Sequence, residues 1–294
     1  MGFIITLNLN NRRILKHLQQ NVVTAFMNNI INHSLFLSVA VFVMLGMYSF
    51  NAFALNENMR LIMAAREGQL SQIKSALMAG ADVDEKNTQG KTALMGAVSY
   101  GNENVVKYLL VEGADVNLVD NKGYSALMVA AQKGHEQIFT SLLDAGVNFK
   151  VAASNGDTAL LQAVYAGNTK IVQQLLSKGA NARMVKKNGL TALHYAANFG
   201  YKEIATLLLS YGADPDSRTE DGISPLMIAA FYGKEDIAAL LVEKGADLKA
   251  ESTTGVTPLS NAILAEQDGM INFLEESIEE KDAEALAQEG GKKR

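Results

Sequence analysis

Two histidines, His135 and His194, are the only imidazoles outside the first 56 residues of this 294-residue chain. Imidazole is the side chain best suited to moving protons near neutral pH, so an acid–base site here would centre on one of them. Neither has the company that such a site needs. No Ser/His/Asp arrangement, metal-ligand spacing or phosphate loop can be read around them. Cysteine is absent, which removes disulfides, thiolate metal sites and a thiol nucleophile together. Three of the methionines, Met95, Met128 and Met227, recur at one position of a repeating pattern, which marks core packing rather than metal ligation. The acids fall mainly in turns and on helix faces, where water solvates them. The sequence therefore predicts no catalytic residue, no metal and no cofactor, and it argues against an enzyme.

The elements that carry these residues are set out by glycine. Gly90, Gly123, Gly156, Gly189, Gly222 and Gly255 are each 33 apart. A second column runs Gly68, Gly101, Gly134, Gly167, Gly200, Gly233, and a third runs Gly80, Gly113, Gly146, Gly179, Gly212, Gly245. Three columns with one period and no insertion define a repeat protein. Each column has a physical task. The first lies in polar turn clusters such as KNGLT and DNKGYS, which suit a tight turn needing positive φ. Thr or Ser follows, then Ala or Pro, then Leu, as in Thr191-Ala192-Leu193 and Ser224-Pro225-Leu226. A hydroxyl N-cap before a first-turn Pro is a helix start. The second column ends this short helix, whose face carries Ala97, Ala130, Ala163, Ala196 and Ala229. Apolar pairs at i, i+4, such as Ile171-Val172 and Leu175-Leu176, then predict a second helix, and the third column terminates it.

The pattern resembles the ankyrin repeat, whose motif runs D-x-x-G-x-T-P-L-H-x-A-A-x-x-G-H with a later L-L-x-x-G-A-D-V-N. NGLTALHYAANFG (188–200), LLLSYGADPD (207–216), DNKGYSALMVAAQKGH (120–135) and LLVEGADVN (109–117) carry the likeness. It covers residues 56–278 and implies an all-α solenoid of about seven helix-turn-helix repeats with β-turn fingers. The repeats fall at about 56–86, 87–119, 120–152, 153–185, 186–218, 219–251 and 252–280. Both histidines sit at family positions, which makes them structural. The family's turn histidine is present only as His194; Met95, Met128, Leu161, Met227 and Ser260 stand elsewhere. Apolar packing is then expected to replace the histidine's hydrogen bonds, leaving those turns less rigid. The ends degenerate: Glu57 replaces the first glycine of repeat one, and Glu266 and Ile278 replace two glycines of repeat seven. Repeat seven runs into EESIEEKDAEALAQE (275–289), a charged helix able to face water; the charged tail, 281–294, is expected to be disordered, Gly290 to Arg294 above all.

The resemblance also implies a use. The turn tips and the exposed side of the first helices form a concave face that holds protein partners. The residues just before the second glycine column are Ser99-Tyr100, Gln132-Lys133, Tyr165-Ala166, Asn198-Phe199 and Phe231-Tyr232. Those just after the first are Lys91, Tyr124, Asp157, Leu190, Ile223 and Val256. Aromatic residues are enriched as interface anchors, although packing between adjacent fingers also accounts for some of them. The expected partner-binding residues are Tyr100, Tyr124, Lys133, Tyr165, Leu190, Phe199, Ile223, Phe231 and Tyr232, centred on repeats four to six. Leu190, Ile223 and Val256 would form an apolar strip along the fingertips.

Before the repeats, residues 1–54 read as a targeting segment. Leu35 to Met47 is an unbroken apolar run, Arg12, Arg13 and Lys16 precede it, and Ala52-Phe53-Ala54 follows. That is the layout of a secretory signal cleaved after Ala54. An uncleaved anchor through residues 35–54 is the other reading. Both place the repeats outside the cytoplasm. The expected location is a periplasm; release from the cell, as an effector binding a host protein, is the alternative. Removing three leader cations from a net charge of −5 leaves −8, and no basic patch is evident in that remainder, so a protein partner is expected rather than nucleic acid. The repeat domain is expected to be a monomer.

Overall fold

The computed structural model describes residues 57–291, and among these every element is a helix: seven pairs stacked in chain order, with no strand. The expected targeting segment, 1–54, lies outside the described residues. The pairs are α1 (57–67) with α2 (Leu70–Met78), α3 (Ala93–Ser99) with α4 (Glu103–Val111), α5 (Ala126–Lys133) with α6 (Glu136–Asp144), and α7 (Ala159–Tyr165) with α8 (Thr169–Ser177). Then come α9 (Ala192–Phe199) with α10 (Lys202–Ser210), α11 (Pro225–Phe231) with α12 (Glu235–Glu243), and α13 (Pro258–Leu264) with α14 (Asp268–Gly291).

Each first helix starts where its hydroxyl residue leaves the extended region. Thr92, Ser125, Thr158, Ser224 and Thr257 accept a hydrogen bond from the backbone N–H three residues on, as in Met95 N to Thr92 Oγ1 at 3.3 Å. That satisfies one of the donors a helix start leaves free. Left-handed glycine then stops the helix, with Gly134 at φ 71° and Gly200 at φ 79°. Crowding makes the conformation harder to replace: a Cβ on Gly189 would lie 2.5 Å from Thr219 Cα of the next finger.

The alanine column explains the curvature. Ala97, Ala130, Ala163, Ala196 and Ala229 are fully buried between layers. With only a methyl group between them, successive first helices approach more closely than successive second helices, which carry Ile, Val, Leu and Phe139. The stack therefore bends with the first helices on its inner side. Main-chain bonds close every fingertip from repeat two onward, for example Asp120 N to Tyr124 O at 2.9 Å and Thr219 N to Ile223 O at 3.0 Å. At the base, carboxylate and amide side chains link loops one layer apart: Asp115 N donates to Asp84, Asn148 N to Asn117 and Asp247 N to Asp216, each at 2.8 Å.

Two expectations need correction. The turns without histidine are not left to apolar packing alone. His194 Nδ1 accepts from Thr191 N at 3.2 Å, so its proton is on Nε2, which meets the Ile223 carbonyl of the next finger at 3.0 Å. Ser260 Oγ takes the same backbone donor, Thr257 N, at 2.8 Å, and Met227 Sδ faces Ser224 N at 3.5 Å. Met95, Met128 and Leu161 are buried and substitute by packing, as expected. The second correction concerns residues 281–291, the described part of the tail. Helix α14 runs unbroken to Gly291, because Ile278 stands where the other repeats place the terminating glycine. Ile278 packs on the core. Lys281 reaches the Ala246 carbonyl at 3.3 Å and Asp282 pairs with Lys249 at 2.6 Å, so repeat six holds the extension. Glu266, the other replaced glycine, still adopts φ 53°, the one positive φ outside glycine among the described residues. The fold imposes that conformation on a residue that disfavours it.

Leu193 is fully buried between layers, whereas Val111 is exposed. Leu193→Asp is expected to cost roughly 4 kcal/mol, and Val111→Asp less than about 0.5 kcal/mol. Urea unfolding followed by circular dichroism checks the pair; equal midpoints would contradict the stacking register.

Candidate protein-interaction face

The inner side of the stack is built by residues repeating every 33 positions on the first helices, together with the fingers that lean over them. Finger and helix meet at Lys186, whose Nζ lies 3.4 Å from the Tyr195 hydroxyl. Tyr195 packs edge-on against Tyr165, with ring centroids 6.2 Å apart. Tyr165 meets Phe199 edge-on at 5.4 Å, and Phe199 stacks on Tyr201 at 5.5 Å. Phe231 and Tyr232 form a further edge-to-face pair at 5.1 Å. These contacts account for part of each ring's surface and leave the rest in water. Tyr165 is 56% exposed, Phe199 37%, Phe231 38% and Tyr232 50%.

Of the expected residues, Tyr100, Lys133, Tyr165, Phe199, Phe231 and Tyr232 reach this surface. Tyr100 is tied back to repeat one, where Arg66 donates to its hydroxyl at 2.9 Å and lies over its ring. The other three are less open to water. Leu190 and Ile223 are half-buried, as is Val256, so the apolar strip along the fingertips is shallower than expected. The main chain draws them inward: the carbonyls of Leu190 and Ile223 close their own turns, and that of Ile223 also receives His194. Tyr124 is half-buried and donates its hydroxyl to Asp157. Four contributors escaped the sequence reading. Tyr195 and Tyr201 belong to neighbouring columns and join the cluster only through stacking. Leu264 continues the exposed column of Tyr165 and Phe231, and Ile263 beside it is exposed because no described layer packs on it. Lys91 and Lys133 were singled out only one by one; the repeat brings them together with Arg66 and Lys122 onto the inner rows of repeats one to three.

Asp157 belongs to a polar cluster at the seam between fingers four and five. Its carboxylate meets Lys186 Nζ at 2.8 Å, Asn155 Nδ2 at 2.7 Å and the Tyr124 hydroxyl. The other finger pairs share a backbone bond: Asn121 N to Gln89 O, Ser154 N to Lys122 O, Glu220 N to Asn188 O and Thr253 N to Asp221 O. Among the described residues no equivalent bond joins fingers four and five, and the Asp157–Lys186 ion pair bridges them instead. Burial alone would raise the Asp157 pKa. The Lys186 bond and charge, with Tyr124 and Asn155, outweigh it and hold the carboxyl below the usual range. Burial likewise opposes the charge on Lys186, and Asp157 overrides it to raise that pKa. Burial and the Asp157 bond both push Tyr124 up.

The histidines are placed structurally. Burial lowers the pKa of both, more than offsetting the Ile223 carbonyl at His194 and aided by Lys133 at His135. Among the described residues no group of three or more His, Asp or Glu is placed to hold a metal, and no helix is long and apolar enough to cross a membrane.

Comparison with known proteins agrees with this geometry. A family model described as ankyrin repeats in three copies matches residues 61–153, 146–219 and 211–285. The chain belongs to the ankyrin repeat family. Its fold is similar to the crystal structure of the ankyrin repeat domain of Bcl-3, a member of the IkappaB protein family. That match has 27% identity and a TM-score of 0.62, and it covers 74% of this chain and 97% of that one. No curated protein matched the chain. Ankyrin repeats are protein–protein interaction modules.

Because Asp157 titrates below its unfolded value of about 3.9, its contribution to stability is present above that pH and is lost as pH falls through the folded value. Asp157→Asn is expected to destabilise the protein by about 2 kcal/mol at neutral pH. The gap from the parent should shrink below about pH 4. Denaturant titrations at several pH values measure it, and a gap that is constant with pH would contradict the ion-pair assignment.

Proposed function

We propose that this chain is a non-enzymatic docking protein that acts outside the cytoplasm and holds a partner protein against the inner side of repeats four to six. The exposed aromatic row carries this reading. Tyr165, Phe199, Phe231 and Tyr232 lie along one face, fixed by contacts with one another, so little side-chain entropy is left to lose on binding. Large, pre-positioned rings half in water are the surface that protein interfaces bury as anchors. The ion pair beside them, Asp157 with Lys186, is bonded into the seam between two fingers, and both histidines are engaged in or packed against the scaffold. The work assigned to the face is scaffolding, inhibition or support of the partner.

The location rests on residues 1–54, with cations ahead of an apolar run and a small-x-small step after it. In a periplasm, the repeat domain would carry out this docking as a monomer, anchored through residues 35–54 only where the leader is retained.

Phe199→Ala combined with Tyr232→Ala is expected to weaken partner capture roughly tenfold or more per residue with an unchanged fold; undiminished capture would contradict the assignment. Cell fractionation and N-terminal sequencing test the location. A mature chain starting at Leu55 in the periplasmic fraction is expected. Recovery in the medium would favour a released effector, and an intact N-terminus in the cytoplasm would refute export.

A further inference from the structure

We propose that the inner face is bipartite and takes a single polypeptide segment, acidic where it crosses repeats one to three and aromatic or large aliphatic where it crosses repeats four to seven. This deepens the docking reading above and rests on it. The chain as a whole is acidic, with a net charge of −5, yet the inner rows of its first three repeats are not. Arg66, Lys86, Lys91, Lys122 and Lys133 lie there against Glu67 and Asp120.

Their charges are not neutralised by the protein. Lys122 and Lys133 are exposed and pair with no carboxylate among the described residues. Lys86 donates to the neutral Val119 carbonyl at 2.7 Å, and Arg66 to the Tyr100 hydroxyl, so both keep their positive field. Two acids lie on the nearest fingers: Asp120 keeps its own charge and only Asp157 is neutralised by an ion pair, which still leaves the cations in excess. Asp120 Oδ1 accepts from Lys122 N and Tyr124 N, each at 2.9 Å, and Asp157 is held by Lys186.

The helix rows change character sharply after Lys133. One continues as Tyr165, Asn198, Phe231 and Leu264, the other as Ala166, Phe199, Tyr232 and Ala265, with no charge in either. Leu264 is 73% exposed, so apolar surface continues to the last layer. A segment matching both halves is attracted at one end by charge and anchored at the other by ring burial. Layers of packed helices lie about 8–10 Å apart, which puts Lys133 and Phe231, three layers apart, at about 27 Å. About eight residues of extended chain, or about eighteen of helix, span that distance. The fixed requirement is thus an acidic cluster and an aromatic cluster separated by one of these two intervals.

Selection of displayed random peptides on the purified full chain tests this, with a selected peptide then titrated at low and high salt. Enriched peptides should combine both clusters. Lys122→Glu with Lys133→Glu should reduce affinity roughly tenfold or more and remove most of its salt dependence. Phe199→Ala with Tyr232→Ala should reduce affinity comparably and leave the salt dependence in place. Lys122 and Lys133 are exposed, so their variant should melt like the parent; Phe199 and Tyr232 pack on neighbouring rings, so their variant is assayed well below its own melting temperature, with circular dichroism showing an unchanged fold. Enriched peptides that carry aromatics but no acids, and that ignore the charge reversal, would overturn the bipartite face and leave the docking reading standing. Enrichment that is absent, or indifferent to the loss of Phe199 and Tyr232, would overturn both. Displacement of the peptide by a single-stranded oligonucleotide at similar concentration would reassign the cations to phosphate and overturn the proposal.

Discussion

Every layer of this protein depends on the surface its neighbour presents. The first helices of repeats two to seven have seven or eight residues and most second helices nine, below the length at which an isolated helix persists in water. What holds them is burial between layers: alanine against alanine on the inner side, and branched or aromatic side chains on the outer side. Stability is then a sum of local interfaces rather than the property of one central core. The same packing sets the shape, because the small residues lie on one side of every pair and the large ones on the other.

That constraint explains where polar chemistry is tolerated. Asp, Asn and hydroxyl residues recur at cap, turn and loop positions, where backbone donors would otherwise be unpaired. His194 does the same, spanning two fingers with both ring nitrogens. Asp157 and Lys186 are different, since they bridge fingers four and five where the others share a main-chain bond. A charged pair replaces a backbone bond at this place, beside the aromatic cluster and next to Tyr195. The rings of the candidate face thus sit over the layer boundary with the most distinctive internal support.

The face itself was partly legible. Tyr165, Phe199, Phe231 and Tyr232 stand out in sequence because they occupy helix positions for which the repeat sets no packing demand. Leu190, Ile223 and Tyr124 lie deeper than their spacing suggests, for a definite reason. The residue after the turn glycine is half-buried or buried in every finger, because each finger leans on its neighbour, and that depth cannot be read from spacing. The basic rows were invisible for another reason. Arg66 and Lys133 are 67 positions apart, and only stacking places them on one surface.

What the chain by itself determined is the period, the helix boundaries and the stacking order, because glycine columns, hydroxyl caps and apolar pairs are local demands of the backbone and the core. Tertiary structure decided the rest. It set which rings remain in water, how the scattered cations gather, and how fingers four and five are joined. It also carried the last helix past residue 280, since no glycine at 278 stops it and repeat six supplies contacts for the extension. These outcomes depend on the distance and direction between layers, which composition and spacing do not contain.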